Sequence, residues 1–423
     1  MSTAHARAPA TARRVNRSAN KGPVSRWFAN QGPLSALRAA RALLARPAVW
    51  FVAIAFGAGA WRVAHILGTA VGSYPVATVT AIVLFACNAV PFLLLIGVIN
   101  FLGRQLVSLR VLAFVWGALV AVPVAIQGGT AAQNVIAKAL SPAFAADWGP
   151  AVGGAAVEEL VKAAGVVTIA LLAPTRFRTV TDGFVYGALI GLGFQVVENV
   201  VFAVNAVAAE GSDRAGPVVA TFLLRGLVAG AWSHALFTAI AGAGIAYALT
   251  GRRPPGARAA VAGALVGAAW AFHFVLNAPW LSDGFGYGAT GVFLAVLLKG
   301  TPALVAGATV IVLAERRDAA YYGRLLTAVN DPRIATPEEI VALVSPLRRL
   351  AERRRARHRL GRAGGRAVRR LQRAQAKLAV TLARAAERTC GPYEVARRRR
   401  EVLLRRRELL ASLSRWVAAR HLP

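Results

Sequence analysis

Glutamates and histidines inside long apolar runs are the residues of this sequence most able to do chemistry. Glu158, Glu159 and Lys162 lie in one such run, Glu198 and Asn199 in the next, His234 in a third, and His273 with Asn277 in a fourth. Ionisable side chains at membrane depth are costly, so they are functional candidates by default. Residues three or four apart share a helix face. Lys162 follows Glu158 and Glu159 at those spacings, so its ammonium can neutralise one carboxylate and leave the other to hold or give a proton. His273 and Asn277, four apart, offer one titratable ring and one neutral donor on a common face. A glutamate so positioned can act as general base toward water. Two histidines with up to three carboxylates can also hold zinc with an open position for water. If a metal is present, its expected ligands are Glu159, Glu198, His234 and His273. The chain has no His-Glu-x-x-His helix, so a glutamate-activated water is favoured over a metal, and no cofactor is favoured although zinc is possible. The same residue types build proton relays in transporters.

The elements that must carry these residues are helices in a bilayer. Of 423 residues, 57% are hydrophobic and only 16% charged, too apolar for a soluble domain of ordinary composition. Runs of about 20 mostly apolar residues are long enough to cross the hydrocarbon core. Eight occur, near 48–72, 76–102, 109–127, 151–173, 182–207, 218–249, 257–280 and 286–314. Residues 127–150 read as an amphipathic outer segment, and Arg225 sits oddly inside the long sixth run. Arginines at 104 and 110, at 176 and 178, and at 252, 253 and 258 fall on every second loop. Lys and Arg accumulate on short cytoplasmic loops, so both termini are expected in the cytoplasm of a multi-pass cell-membrane protein. Gly183, Gly187 and Gly191 repeat at spacing four and predict close helix packing. Asp182 is expected to cap the helix it opens.

The formal net charge of +32 belongs to the ends of the chain, residues 1–47 and 316–423. The first is a basic cytoplasmic segment. The second is rich in Ala, Leu, Glu and Arg and predicts basic helices broken near Gly361, Gly364, Gly365 and Gly391–Pro392. No nucleic-acid reader motif accompanies the charge, so the tail is expected either to touch anionic lipid or to be a solvated, partner-binding appendage, and nucleic acid is not expected. Cys87 and Cys390 are too few for a disulfide framework. The fold class is therefore all-α, a membrane bundle of about eight helices at 48–315 followed by a helical cytoplasmic tail.

Depth links the polar residues. At 1.5 Å rise per residue, the glutamates of the fourth helix, Glu198 and His273 each lie roughly 10–13 Å from the outer ends of their helices, with His234 somewhat deeper. Four antiparallel helices thus bring their ionisable groups to one level in the outer half.

Glu158-Glu159-x-x-Lys162, Phe194-x-x-x-Glu198-Asn199, Ser233-His234 and His273-x-x-x-Asn277, in this order, resemble the motifs of the PrsW intramembrane proteases. These are similar in turn to the CAAX prenyl protease and Abi superfamily, whose second motif often ends in His where this chain has Glu198. The resemblance covers roughly residues 150–280. It implies hydrolysis of a peptide bond in a membrane-anchored protein near its extracytoplasmic side. Glu158 or Glu159 would activate water, Glu198 and His234 would help hold it, and His273 with Asn277 would stabilise the oxyanion. Lys162, Phe194 and Asn199 would support them. The competing classes are a proton-coupled transporter, which should carry polar residues through both membrane halves, and an inactive scaffold that recruits partners through its tail.

Overall fold

The computed structural model describes residues 41, 45, 47–99, 105–174, 177–388 and 390–420. The basic segment expected at 1–47 lies almost wholly outside them. The chain divides into two compact units, residues 1–55 and 56–423. The described residues of the first include the opening turns of one helix; the bundle core and the tail belong to the second. Only helices occur among the described residues.

Helix α1 is Pro47–Ser73 and α2 is Pro75–Ile99. Helix α3, Val107–Ala139, contains a π turn at Trp116–Ala121. It runs well past the apolar stretch expected at 109–127, because Gln127, Gln133 and Asn134 continue the helix. The outer segment expected at 127–150 is therefore this extension plus a short helix α4, Pro142–Gly149, capped by Ser141. A second π turn, Pro150–Gly154, joins α4 to α5, Ala155–Leu172.

Helix α6, Val180–Glu210, is the centre of the bundle, buried over most of its length. Thr179 and Asp182 form a capping box at its start, each side chain bonding the other's backbone amide, as the carboxylate at this position predicts. Its three spaced glycines permit close approach. A Cβ at Gly183, Gly187 or Gly191 would meet the carbonyl oxygens of Gly242, Thr238 or His234 at 2.2, 2.1 and 2.1 Å.

The sixth apolar run is not one crossing. Helix α7, Ala215–Thr221, passes into a π turn at Phe222–Val228, then a single 3-10 turn, and breaks at Ser233 (φ −107°, ψ −143°) before α8, His234–Thr250. The remaining spans are α9, Pro255–Asn277, and α10, Gly288–Thr327. Among the described residues seven helices are long and apolar enough to cross a membrane. The eighth expected segment is α5, whose 18 residues carry three charges, Glu158, Glu159 and Lys162.

The tail forms α11, Pro337–Leu343, α12, Pro346–Ala386, and α13, Pro392–Arg420. Helix α12 bends at Gly361 (φ 69°, ψ −171°), a backbone shape that glycine tolerates. Gly364 and Gly365, expected as breaks, stay helical. Leu371, Leu378 and Val402 are buried with Tyr322, Leu326, Ile334 and Leu343. This apolar cluster fixes the tail to the end of α10.

Candidate functional site

Neighbouring backbones hold the four site-bearing helices in register. Gly191 seats α6 against the His234 carbonyl at the first residue of α8. Gly165 of α5 leaves room for the Trp116 ring, whose indole donates to the Val161 carbonyl. Gln195 secures the broken segment: its side-chain oxygen accepts from the Ser233 hydroxyl (2.9 Å) and the Ala235 amide (3.4 Å), while its amide donates to the Gly230 carbonyl. His234 thus opens a helix at a fixed break, with its ring reaching α5.

Glu158, Glu159, Lys162, Glu198, His234 and His273 meet in one cluster. Lys162 is fully buried, with its ammonium 2.6 Å from Glu159 Oε1, 3.0 Å from His234 Nδ1 and 3.6 Å from Glu158 Oε2. It stands 4.5 Å from the centre of the Phe194 ring, within reach of the ring's negative face. Phe194 also packs on His234 (4.9 Å between ring centres), and Phe237 on His273 (5.4 Å).

Each histidine has one nitrogen on a carboxylate. His234 Nε2 lies 2.8 Å from Glu198 Oε2, and His273 Nδ1 lies 2.9 Å from Glu159 Oε1. A carboxylate only accepts, so these two nitrogens donate and the neutral rings present lone pairs at His234 Nδ1 and His273 Nε2. Both lone pairs face Glu158: its Oε2 is 3.6 Å from His234 Nδ1 and 3.7 Å from His273 Nε2. That oxygen is buried and has no hydrogen-bond partner among the described residues. Three electron-rich atoms therefore converge, and among the described residues Lys162 brings a proton near them.

This arrangement fits a divalent metal. Glu158, His234 and His273 each offer a ligand atom, all within 4.8 Å of one another. Two ligands of a tetrahedral zinc, each about 2.0–2.1 Å from it, lie about 3.4 Å apart, close to the 3.6 and 3.7 Å from Glu158 Oε2 to the two histidine nitrogens. Glu198 and Glu159 hold the far nitrogens of the two histidines, the outer-shell pattern that fixes tautomer and orientation in metal sites. The set differs from the one expected from sequence. Glu158 Oε2 faces both lone pairs, while Glu159 and Glu198 bond the far nitrogens of the histidines, because adjacent residues on a helix point about 100° apart.

Arg225, an oddity inside an apolar run, belongs to the site. It donates through Nη2 to Glu198 Oε2 (2.6 Å) and through Nε to Asn199 Oδ1 (2.8 Å), and its guanidinium stacks 3.8 Å from the centre of Phe202. An arginine within an apolar run, on a π turn, is the signal that could have found it, since such turns often mark functional sites. Gln195 had no comparable signal. Asn277 is not brought into the cluster: its amide donates to the Pro150 carbonyl (3.4 Å), one turn beyond His273. It ties α9 to the π turn that leads into α5.

Residues 105–306 match the family model of the PrsW family intramembrane metalloproteases. That segment resembles the PrsW family. It starts within the loop before α3, ends inside α10, and contains every residue of the cluster, so the PrsW segment and the site coincide. No curated protein and no solved structure shows significant similarity to the chain. The tail beyond residue 306 lies outside the PrsW match.

Proposed function

We propose that this chain is a metal-dependent intramembrane peptidase that hydrolyses a peptide bond in a membrane-anchored protein near its extracytoplasmic side. The observation that carries the reading is the pair of histidines, each anchored by a carboxylate on one nitrogen and presenting the other to Glu158 Oε2, which accepts no hydrogen bond among the described residues. The family match over residues 105–306 supports the peptidase activity.

Glu158, His234 and His273 would hold the metal, with zinc suited to this nitrogen-and-oxygen set. When bound, zinc supplies Lewis acidity to the scissile carbonyl and eases deprotonation of a water. The chain's own groups then move protons. Glu159 Oε1 is fixed by Lys162 and His273, while its Oε2 is buried without a partner among the described residues and can accept the proton of the attacking water. The hydroxide adds to the carbonyl carbon, the carbon–nitrogen bond breaks, and Glu159 returns the proton to the leaving amine. Lys162, buried beside both glutamates, offsets the negative charge that develops. Arg225 and Glu198 orient His234 from behind.

One observation favours the glutamate-type alternative: Lys162 already donates to His234 Nδ1. In that reading Glu158 and Glu159 alone activate the water. The first test uses the full chain reconstituted with a single-span substrate. Glu158→Gln and His273→Ala are each expected to abolish cleavage while the protein still folds, with an unfolding temperature lowered by the lost metal. Full cleavage in both variants would overturn the site assignment.

A further inference from the structure

The opposite ends of α5, α6 and α8 meet α10 and the tail around a second cavity, of about 930 Å³. It is separate from the cluster. Glu158 and Leu171 are thirteen residues apart on α5, and His234 and Thr250 sixteen apart on α8, so the two sites lie roughly 20–24 Å from each other along the helices.

Four arginines line it: Arg178, Arg252, Arg317 and Arg324, against two carboxylates, Asp318 and Glu387. Glu387 pairs at 3.8 Å with Arg178, and Asp318 is almost fully buried. Arg317 donates to the Thr250 carbonyl and lies over the Tyr247 ring. Arg252 and Arg324 are exposed and have no ion pair or hydrogen bond among the described residues. Beside this charge the wall is apolar, and its Leu171 and Leu249 are 74% and 57% exposed on the bundle helices α5 and α8. Uncompensated guanidinium groups next to an open apolar wall match one ligand chemistry, a phosphodiester carrying acyl chains.

We propose that this cavity binds the headgroup of an anionic phospholipid, with Arg252 and Arg324 on the phosphate and the acyl chains along Leu171 and Leu249. The lipid would sit where the basic tail is fixed to the bundle and join the two.

The experiment adds short-chain phosphatidylglycerol, the matching phosphatidylcholine, or inorganic phosphate to the full-length protein in nonionic detergent and reads the unfolding temperature. Phosphatidylglycerol should raise it by several degrees, and the other two should leave it unchanged. Arg252→Gln/Arg324→Gln should lose most of that rise, whereas Arg399→Gln/Arg400→Gln on the exposed face of the tail should keep it. A photoactivatable phosphatidylglycerol on the unmodified protein supplies a reading independent of any variant, with adducts expected in peptides covering 171–178, 249–252 and 317–324. Equal rises with phosphatidylcholine, an undiminished rise in the first double variant, or adducts spread only over the tail surface would overturn the proposal. A rise with inorganic phosphate equal to that with phosphatidylglycerol would replace the lipid with a free anion and overturn it as well.

Discussion

Glu158 and Glu159 are neighbours in sequence with different surroundings. Glu159 Oε1 is bonded by both Lys162 and His273, while Glu158 Oε2 faces two histidine lone pairs at 3.6 and 3.7 Å. Their substitutions should therefore differ in kind. Glu158→Gln should remove metal binding together with activity, whereas Glu159→Gln should keep the metal and lower kcat by roughly 10²–10⁴-fold, the range for a lost general base. Zinc content and single-turnover cleavage of the two purified variants check this. One step further out, Glu198→Gln should weaken zinc affinity about 10–100-fold, as loss of an outer-shell carboxylate does, with Arg225→Met changing affinity in the same direction through Glu198. Zinc titration against a competing chelator measures both. The site was legible in the sequence to the extent that each member is an ionisable residue in an apolar run. Which carboxylate faces the histidines was not legible, because spacing places residues on a face without fixing what lies opposite. Asn277 shares the His273 face of α9 yet finds the Pro150 carbonyl instead.

At the level of elements, the site depends on how closely α6 and α8 approach. A Cβ at Gly191 would stand 2.1 Å from the His234 carbonyl, so backbone must move to admit it. Gly191→Ala is expected to destabilise the protein by about 1–3 kcal/mol, the usual cost of overpacking, and to depress cleavage by shifting His234. Gly263→Ala, with nothing within 4 Å of the added carbon, should change neither. Thermal unfolding in detergent together with cleavage rates distinguishes the two. The glycine spacing made this contact readable from sequence. The break at Ser233 was less so: the run 218–249 is interrupted only by Arg225, His234 and the small hydroxyl residues Thr221, Ser233 and Thr238 among its mostly apolar residues, and hydropathy does not separate a continuous helix from one interrupted by a π turn and a 3-10 turn. The ends of α3 and α10 also escaped a reading by apolarity, since helix continues through Gln133 and through Glu315–Arg317 where hydrophobic residues give way to polar helix formers.

For the whole molecule, the arginines on alternate loops predict an even number of crossings with the cluster in the outer half. Single cysteines in place of Asp213 or Asp283, in a background lacking Cys87 and Cys390, should react with a membrane-impermeant maleimide on intact cells. A cysteine replacing Arg253 should react only after the membrane is opened. Labelling in the reverse pattern would put the cluster near the cytoplasmic face and with it the site of cleavage. The tail, legible in sequence as basic helices, has in addition an apolar core of its own around Tyr322, Leu378 and Val402. Its composition concealed this because the buried positions are few among many arginines.

Whether Glu158, His234 and His273 hold a catalytic metal is read out by removing and restoring zinc. The full chain, reconstituted with its single-span substrate, is treated with a zinc chelator, assayed, and assayed again after zinc is returned, with metal content followed by elemental analysis. Cleavage should disappear with the zinc and return with it, and Glu158→Gln should stay inactive throughout. Cleavage at the full rate in protein shown to be free of metal would contradict the account and leave the two glutamates to activate water alone.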